Sequence, residues 1–400
     1  MEILVIILAI ALQVFLTVKK VSPFISLLAV AVFAGFLLGM PAPQVLKSIE
    51  TGVGSTLGGL ALILCLGAVL GKILEASGAA EKIAVTLIQQ FGEKNIQWAV
   101  LLTGFLIGIP LYYNAGFVIL VPLIFMLTKK TGLPLLYIAI PMAASLSTTH
   151  CFLPPHPGPV VLVNAFNANI GQVLVYGVVI AIPAVIIAGP LLGKAIQRFS
   201  PTEVKAQEAV VATSQSVLPG VFSSFFIALL PVLLITVSLV AQTFLPDSIL
   251  KQALLFVGDS TIALFISVLM AMYFLGIRKN HSMPSIMKWL QEGITGIAMI
   301  MLIITAGGVF KQVLQDSGTG AFIASFSSKW QLPPLIFGWL VTALLRVTIG
   351  SATVAAITAA GIVAPLAGPG MTSPELMVLA VGSGSVFGSH INDSGFWMFK

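Results

Sequence analysis

A few side chains in this 400-residue sequence have the type and setting to do chemistry. Arg346 lies one turn before the run Gly350-Ser-Ala-Thr353 in otherwise apolar surroundings. A planar guanidinium holds a carboxylate through two parallel charge-assisted hydrogen bonds, so Arg346 is a candidate for gripping the anionic end of a ligand. The alternative is an arginine that snorkels or pairs with a structural carbonyl. His150 and His156 fall in Ser147-Thr-Thr-His-Cys-Phe-Leu-Pro-Pro-His-Pro-Gly158. Histidine titrates near pH 6.5, which suits His150 to hydrogen-bond a ligand or relay a proton. A histidine that caps carbonyls freed by the prolines is the alternative for His150 and the favoured reading for His156. Asp393, in Gly388-Ser-His-Ile-Asn-Asp-Ser-Gly395, is a carboxyl group between apolar flanks and a candidate proton carrier; the alternative is a cap on the half-helix that follows. The two histidines share a proline-rich turn rather than one helical face, and no third ligand accompanies them, so no metal is expected. Cys65 and Cys151 form neither a disulfide framework nor a CxxC motif, and no cofactor is implied.

The elements that must position these groups belong to a chain with 58% hydrophobic and 8% charged residues, where a soluble domain carries about 25% charged. An unsatisfied backbone amide costs several kcal/mol in hydrocarbon, so only helices or closed barrels span a bilayer. Uninterrupted apolar runs such as Ile3 to Val18 and Val173 to Leu192 fit helices and not the alternation of a barrel. The formal charge of +6 is spread singly or in pairs between apolar runs, which excludes a nucleic-acid patch. Met1 and Glu2 lead straight into the first apolar run without a basic n-region, so that run is expected to stay as the first spanning helix.

Apolar windows of about 20 residues predict helices at 3–18, 22–40, 57–75, 134–167 (long and broken), 171–193, 217–245, 252–276, 293–314 and 375–400. Two stretches, 96–128 and 332–366, are too long for one span and too tightly turned for two. Polar, glycine-rich backbone is tolerated in mid-membrane only where it is buried in protein or lines a cavity, so both are read as re-entrant helical hairpins; two short helix pairs are the alternative. The first tip offers Asn114, with Tyr112 and Tyr113 as packing or anchoring groups. The second offers Gly350, Ser351 and Thr353. Exposed N–H groups at a half-helix N-terminus favour anions, and glycine lets backbone approach a ligand closely. Prolines and Gly158 predict an unwound segment after Thr149 and His150.

Four landmarks recur in order: Pro43-Gln-Val-Leu-Lys47 and Pro284-Ser-Ile-Met-Lys288, 241 apart; Leu74-Glu-Ala-Ser-Gly78 and Leu314-Gln-Asp-Ser-Gly318, 240 apart; the tips Asn114 and Gly350, 236 apart; and His150 and His390, 240 apart. The segment Ser389, His390, Asn392, Asp393 is therefore the partner of the His150 segment. A five-span first copy forces the second to enter the membrane from the opposite side, predicting an all-α polytopic membrane protein with inverted-topology repeats at 1–199 and 217–400 and a cytoplasmic linker at 200–216. With the N-terminus outside, Lys19, Lys20, Lys82, Lys94, Lys129, Lys130, Lys194, Arg198, Lys205, Arg278, Lys279 and Lys288 fall inside, and only Lys47, Lys251, Lys311 and Lys329 fall on or near the outer face, as the positive-inside rule asks. By the 240 offset, residue 400 corresponds to Val160, so the second copy is expected to lack its last helix and the chain to be a shortened one. A pseudo-symmetric pair of sites serves alternating access and not chemistry, which ranks a carrier for a small organic anion above a membrane-embedded enzyme using His150, His156 and Asp393, with a channel third.

At these residues the sequence resembles the gluconate permease (GntP) family of proton symporters. The resemblance rests on Ser147 to Pro159, on Arg346-Val-Thr-Ile-Gly-Ser-Ala-Thr-Val354 and on Gly388-Ser-His-Ile-Asn-Asp-Ser-Gly-Phe-Trp397, and runs from the first helix to residue 400. It implies proton-coupled uptake of gluconate or a related sugar acid across a bacterial inner membrane, with D-serine or other hydroxy acids used by some members; the Ser, Asn and carbonyl groups at the tips could hold Na⁺ as readily as a water, so sodium stays open as the coupling ion. The wider ion transporter superfamily, which the architecture also resembles, implies a scaffold and a mobile, elevator-type transport domain, commonly in homodimers. It implies substrate groups at Asn114, His150, Ser351, Thr353, Asn392 and Asp393, beside Thr149, Arg346, Gly350, Ser389 and His390 from the same segments. The missing last helix is the departure from the pattern.

Overall fold

With few polar side chains available to partner the backbone, the chain satisfies its amides within helices. The computed structural model describes residues 2–111, 113–199, 218–319, 332–368 and 372–388, the side chains of Ile3 and Asn114 excepted. In order, the helices are α1 (Glu2–Val18), α2 (Pro23–Leu37), α3 (Ala42–Ala76), α4 (Ala79–Phe91), α5 (Ile96–Gly108), α6 (Tyr113–Thr131), α7 (Leu135–Phe152), α8 (Pro157–Phe166), α9 (Ile170–Phe199), α10 (Val221–Phe244), α11 (Ile249–Val257), α12 (Ser260–Lys279), α13 (Met283–Asp316), α14 (Pro334–Ile349), α15 (Ala352–Val363) and α16 (Pro374–Gly384). Among the described residues, six helical segments are long and apolar enough to cross a membrane: α3, α7 with α8, α9, α10, α12 and α13. Large apolar side chains left exposed on α10, Phe222, Leu233, Val237, Val240 and Phe244 among them, suit a lipid-facing surface.

The predicted spans differ from the helices at four places, one of them the span at 293–314, whose helix begins ten residues earlier, at Met283. The span at 57–75 begins 15 residues earlier, at Ala42, because Lys47, Glu50, Gly52 and Gly54 interrupt the apolar run without interrupting the helix. The single span at 252–276 is two helices. Gly258 ends α11, and the Asp259 carboxylate accepts from the N–H groups of Thr261 and Ile262 at 3.0 and 3.3 Å, starting α12 as an N-cap. Helix α4 was not foreseen, being short and amphipathic. Within 134–167 the expected break is present between α7 and α8, and contains a cis Pro154–Pro155 bond. The linker at 200–216, Tyr112 and the segment from Ser389 to Lys400 lie outside the described residues.

The chain forms two compact units. One comprises Met1–Leu64, Pro157–Tyr176 and Ile297–Lys400, the other Cys65–His156 and Gly177–Gly296. In the first, the N-terminal half of α3 runs antiparallel to the C-terminal half of α13. The Ser48 hydroxyl donates to the Asp316 carboxylate at 2.6 Å, and further along a Cβ on Gly52 would stand 2.6 Å from the Val309 Cα. Glycine is required there because backbone meets backbone. In the second unit, the C-terminal half of α3 meets the N-terminal half of α13: a Cβ on Gly293 would lie 3.0 Å from the Ala68 carbonyl, and the Lys72 ammonium pairs with Glu75 and Glu292 at 3.3 and 3.4 Å.

A side chain at Gly52 has no space to enter. Gly52→Leu should therefore destabilise the purified protein by about 1–3 kcal/mol or more, read as a lower unfolding temperature in detergent. Gly54→Ala, where a Cβ meets nothing within 4 Å, should leave that temperature unchanged or raised; equal effects would refute the close contact.

Candidate functional site

In the second unit, two breaks in helical backbone are tied to each other. Helix α5 ends at Gly108 and α6 resumes at Tyr113, while α7 ends at Phe152 and four residues, Leu153 to His156, precede α8. Helix α5 lies against α7 through small residues. Gly104 faces Ser145, whose hydroxyl donates to the Leu101 carbonyl at 2.8 Å and to Pro141 at 2.9 Å, and a Cβ on Gly108 would run into the Thr149 hydroxyl. The buried His156 imidazole then reaches back to the Gly108 carbonyl at the end of α5. A carbonyl only accepts, so Nε2 carries the proton. His150 stacks edge-on against His156, ring centroids 5.1 Å apart, and its ring centroid lies 6.5 Å from that of Tyr113. A glycine on α3 gives room to the first break: a Cβ on Gly71 would lie 2.7 Å from the Pro110 carbonyl.

The first unit holds the second turn. Helix α14 ends at Ile349, Gly350 takes a left-handed φ of 83°, and the Ser351 hydroxyl accepts from the Val354 N–H at 3.4 Å to start α15. A β-carbon at Gly350 would be strained, so the glycine sets this turn. Arg346 is buried, and its Nη1 donates to the Gly350 carbonyl. Gly350 N–H in turn donates to the Arg346 carbonyl at 2.9 Å. Helix α16 lies on α14 as α7 does on α5, with Gly338 against Met377 and Gly384 against the Trp339 carbonyl and Thr342. Gly388, with φ of 62°, stands beside Val347.

The structure thus brings His150, His156 and Tyr113 together at one break, and Arg346, Gly350 and Ser351 at the other. Thr353 sits half-buried in the first turn of α15. Thr149 is fully buried, and its hydroxyl donates to the Ser145 and Leu146 carbonyls of its own helix, at 3.0 and 3.1 Å. The side chain of Asn114, and all of Ser389, His390, Asn392 and Asp393, lie outside the described residues. Sequence reasoning passed over Ser145 and Gln97, the latter a buried amide donating to the Tyr137 and Pro190 carbonyls at 2.9 and 3.4 Å. It also passed over Gly104-Phe-Leu-Ile-Gly108, a GxxxG spacing that would have announced the close α5–α7 contact.

Helices broken inside an apolar bundle, with the breaks held by buried polar groups, define the class as a polytopic membrane carrier. Solved structures agree on the fold. The chain superposes on Neisseria gonorrhoeae MtrF, from work on a class of antimetabolite efflux pumps, with a TM-score of 0.65 at 20% identity, covering 89% of this chain and 77% of that one. It superposes on the Alcanivorax borkumensis YdaH transporter with a TM-score of 0.53 at 17% identity, covering 82% and 75%. The GntP family permease model matches residues 1–400, and the chain belongs to that family. It is similar to the Gnt-II system L-idonate transporter of Escherichia coli (47% identical over 382 residues, 95% of this chain and 87% of that protein) and to a high-affinity gluconate transporter of the same organism (47% over 385 residues, 95% and 87%). It is also similar to the gluconate permease of Bacillus subtilis (43% over 392 residues, 95% and 88%). The chain is a permease and not an enzyme.

The α5–α7 contact is testable as a coupling. Gly108→Ala should cost about 1–3 kcal/mol, and Thr149→Ala, by removing the hydroxyl in its way, should recover part of that loss. In thermal unfolding the double mutant should be more stable than the sum of the singles by about 0.5 kcal/mol or more; strict additivity would contradict the contact.

Proposed function

We propose that this permease imports gluconate or a closely related sugar acid by proton symport, the polar groups of the hairpin turns and helix breaks holding the substrate. The observation that carries the substrate class is the close similarity, over 95% of the chain, to proteins named for L-idonate and gluconate. The chemistry of the breaks fits it. The polyol hydroxyls call for donors and acceptors such as Asn114, His150, Ser351, Thr353, Ser389, His390 and Asn392. The carboxylate calls for Arg346 or half-helix N–H groups at Gly350. Thr149 acts beside His150, and Asp393 and His150 are the groups for the coupled proton.

Alternating access follows from inverted repeats at 1–199 and 217–400 joined by the linker 200–216. Three features support the duplication. Helices α3 and α13 begin 241 residues apart and are of nearly equal length, 35 and 34 residues. The close approach of Gly52 to Val309 maps, by that same 241, onto the close approach of Gly293 to Ala68. Three of the four hairpin arms, α5, α14 and α15, have 13, 16 and 12 residues, fewer than the roughly 20 a crossing needs, which suits re-entrant hairpins. The span order puts Ser48, Ala165, Asn169, Lys311, Asp316 and Glu375 on the same side of the membrane in either orientation, and hydrogen bonds support that shared side: Ser48 to Asp316, Lys311 to the Ala165 carbonyl at 2.9 Å, and the Asn169 N–H to Glu375 at 3.0 Å. The outside N-terminus rests on the loop charges. The setting is a bacterial inner membrane, and the assembly a homodimer with an elevator-type transport domain.

Uptake of labelled gluconate into proteoliposomes, under an imposed pH or sodium gradient and with L-idonate, other aldonates and D-serine as competitors, tests the proposal. Accumulation driven by the pH gradient and blocked by sugar acids is expected, with Asp393→Asn losing the coupling. Indifference to every hydroxy acid would refute the substrate class, and full coupled accumulation by Asp393→Asn would remove its carrier role.

A further inference from the structure

One half-buried cation lies outside both breaks. Lys311, on α13, projects into a cavity of about 360 Å³ in the first unit, whose polar lining includes Ser55, Thr56, Asn164, Gln312 and Gln315. That volume falls within the range of small-molecule sites. One ammonium proton is used on the Ala165 carbonyl near the C-terminus of α8, at 2.9 Å. Among the described residues no carboxylate is within ion-pair distance of Lys311, and none lines the cavity. The nearest acid on its own helix, Asp316, is taken up by the Ser48 hydroxyl and by the Gln312 amide at 2.9 Å. An ammonium has three donors and no acceptor, so two remain to be directed into the cavity. Room is also made for the Asn164 amide: its nitrogen would lie 2.7 Å from a Cβ on Gly59, so any residue but glycine would push it aside. The cavity offers one positive charge surrounded by amides and hydroxyls, the complement of a small polyhydroxy carboxylate.

We propose that this cavity is a docking subsite for a small hydroxylated carboxylate, separate from the hairpin turns, in which Lys311 takes the carboxylate and Asn164 and Gln315 take hydroxyl groups. The proposal rests on the uptake reading for the identity of the anion and on the cavity alone for the charge preference. With the N-terminus outside, Lys311 belongs to the external end of α13, so the subsite is where an incoming anion first meets protein. A half-buried cation in a low-dielectric cleft raises the local concentration of anions. No residue of the subsite lies in the three motifs that carry the family resemblance.

The test places a single cysteine at Ser55 on the cavity wall, with Cys65 and Cys151 replaced by serine. Rates of modification by an anionic and a cationic methanethiosulfonate are compared, with gluconate uptake measured on the same protein. Thiol reactivity cancels in the ratio of the two rates, leaving the local potential. With Lys311 present the anionic reagent should be favoured. Lys311→Gln should lower the ratio by about fivefold or more and Lys311→Arg should keep it. Gluconate should protect the cysteine when Lys311 is present and not in Lys311→Gln. A ratio unmoved by Lys311→Gln would overturn the proposal. So would failure of gluconate to protect in a protein that accumulates it. If gluconate is not accumulated at all, the uptake reading fails, and the rate ratio by itself decides on the anion subsite.

Discussion

The whole arrangement depends on one constraint: in hydrocarbon there is no water to satisfy a broken helix. Four carbonyls and four amides are orphaned wherever a helix stops, and each left bare costs several kcal/mol. This chain stops its helices at two hairpin turns and at the proline-rich segment after α7, and it supplies the missing partners from its own interior. His156 takes the Gly108 carbonyl, Arg346 takes the Gly350 carbonyl, and Ser351 takes the Val354 amide. The ionisable and polar groups of the two breaks therefore have a structural duty whatever else they do. A carrier of this kind gains from the combination, because irregular backbone that is capped on one side presents its remaining groups to a ligand on the other.

Close packing without large side chains is what lets the breaks meet their caps. Gly104 and Gly108 bring α5 onto α7, and Gly338 and Gly384 bring α14 onto α16. Gly71 lets α3 come up to the Pro110 carbonyl. Lipid is as apolar as leucine, so association here comes from van der Waals contact and hydrogen bonds between backbones that approach closely, not from excluding water. The Ser145 hydroxyl shows how the two combine, since it reaches a carbonyl on α5 while satisfying one on its own helix.

Much of this could be read from the residues. Apolar runs gave the spanning helices, because transfer into hydrocarbon is a property of composition. Glycine, asparagine and clustered proline gave the turns and the α7–α8 break, because these residues act on the local backbone. The missed features share a cause. Helix α4 and the Gly258-Asp259 division are short-range amphipathic and capping events that a 20-residue apolar window averages away, and the start of α3 was hidden by Lys47 and Glu50. The Arg346 bond is local, four residues from donor to acceptor, and belonged among the alternatives for that arginine. The His156 bond joins positions 48 residues apart, and no spacing rule announces such a pair. Thr149 has a packing duty that its motif did not announce: its hydroxyl donates to carbonyls of its own helix and meets Gly108.

The proposed substrate site requires the His156–Gly108 cap that ties the α5–α6 break to the α7–α8 break, and gluconate affinity in a His156 variant tests that requirement most directly. His156→Leu leaves the shape of the side chain largely intact but removes the donor to Gly108. Titration calorimetry on the purified protein, at a temperature where its circular dichroism is native, should give a gluconate affinity at least about tenfold weaker than wild type, the equivalent of about 1.4 kcal/mol. An unchanged affinity in a folded His156→Leu protein would contradict the claim.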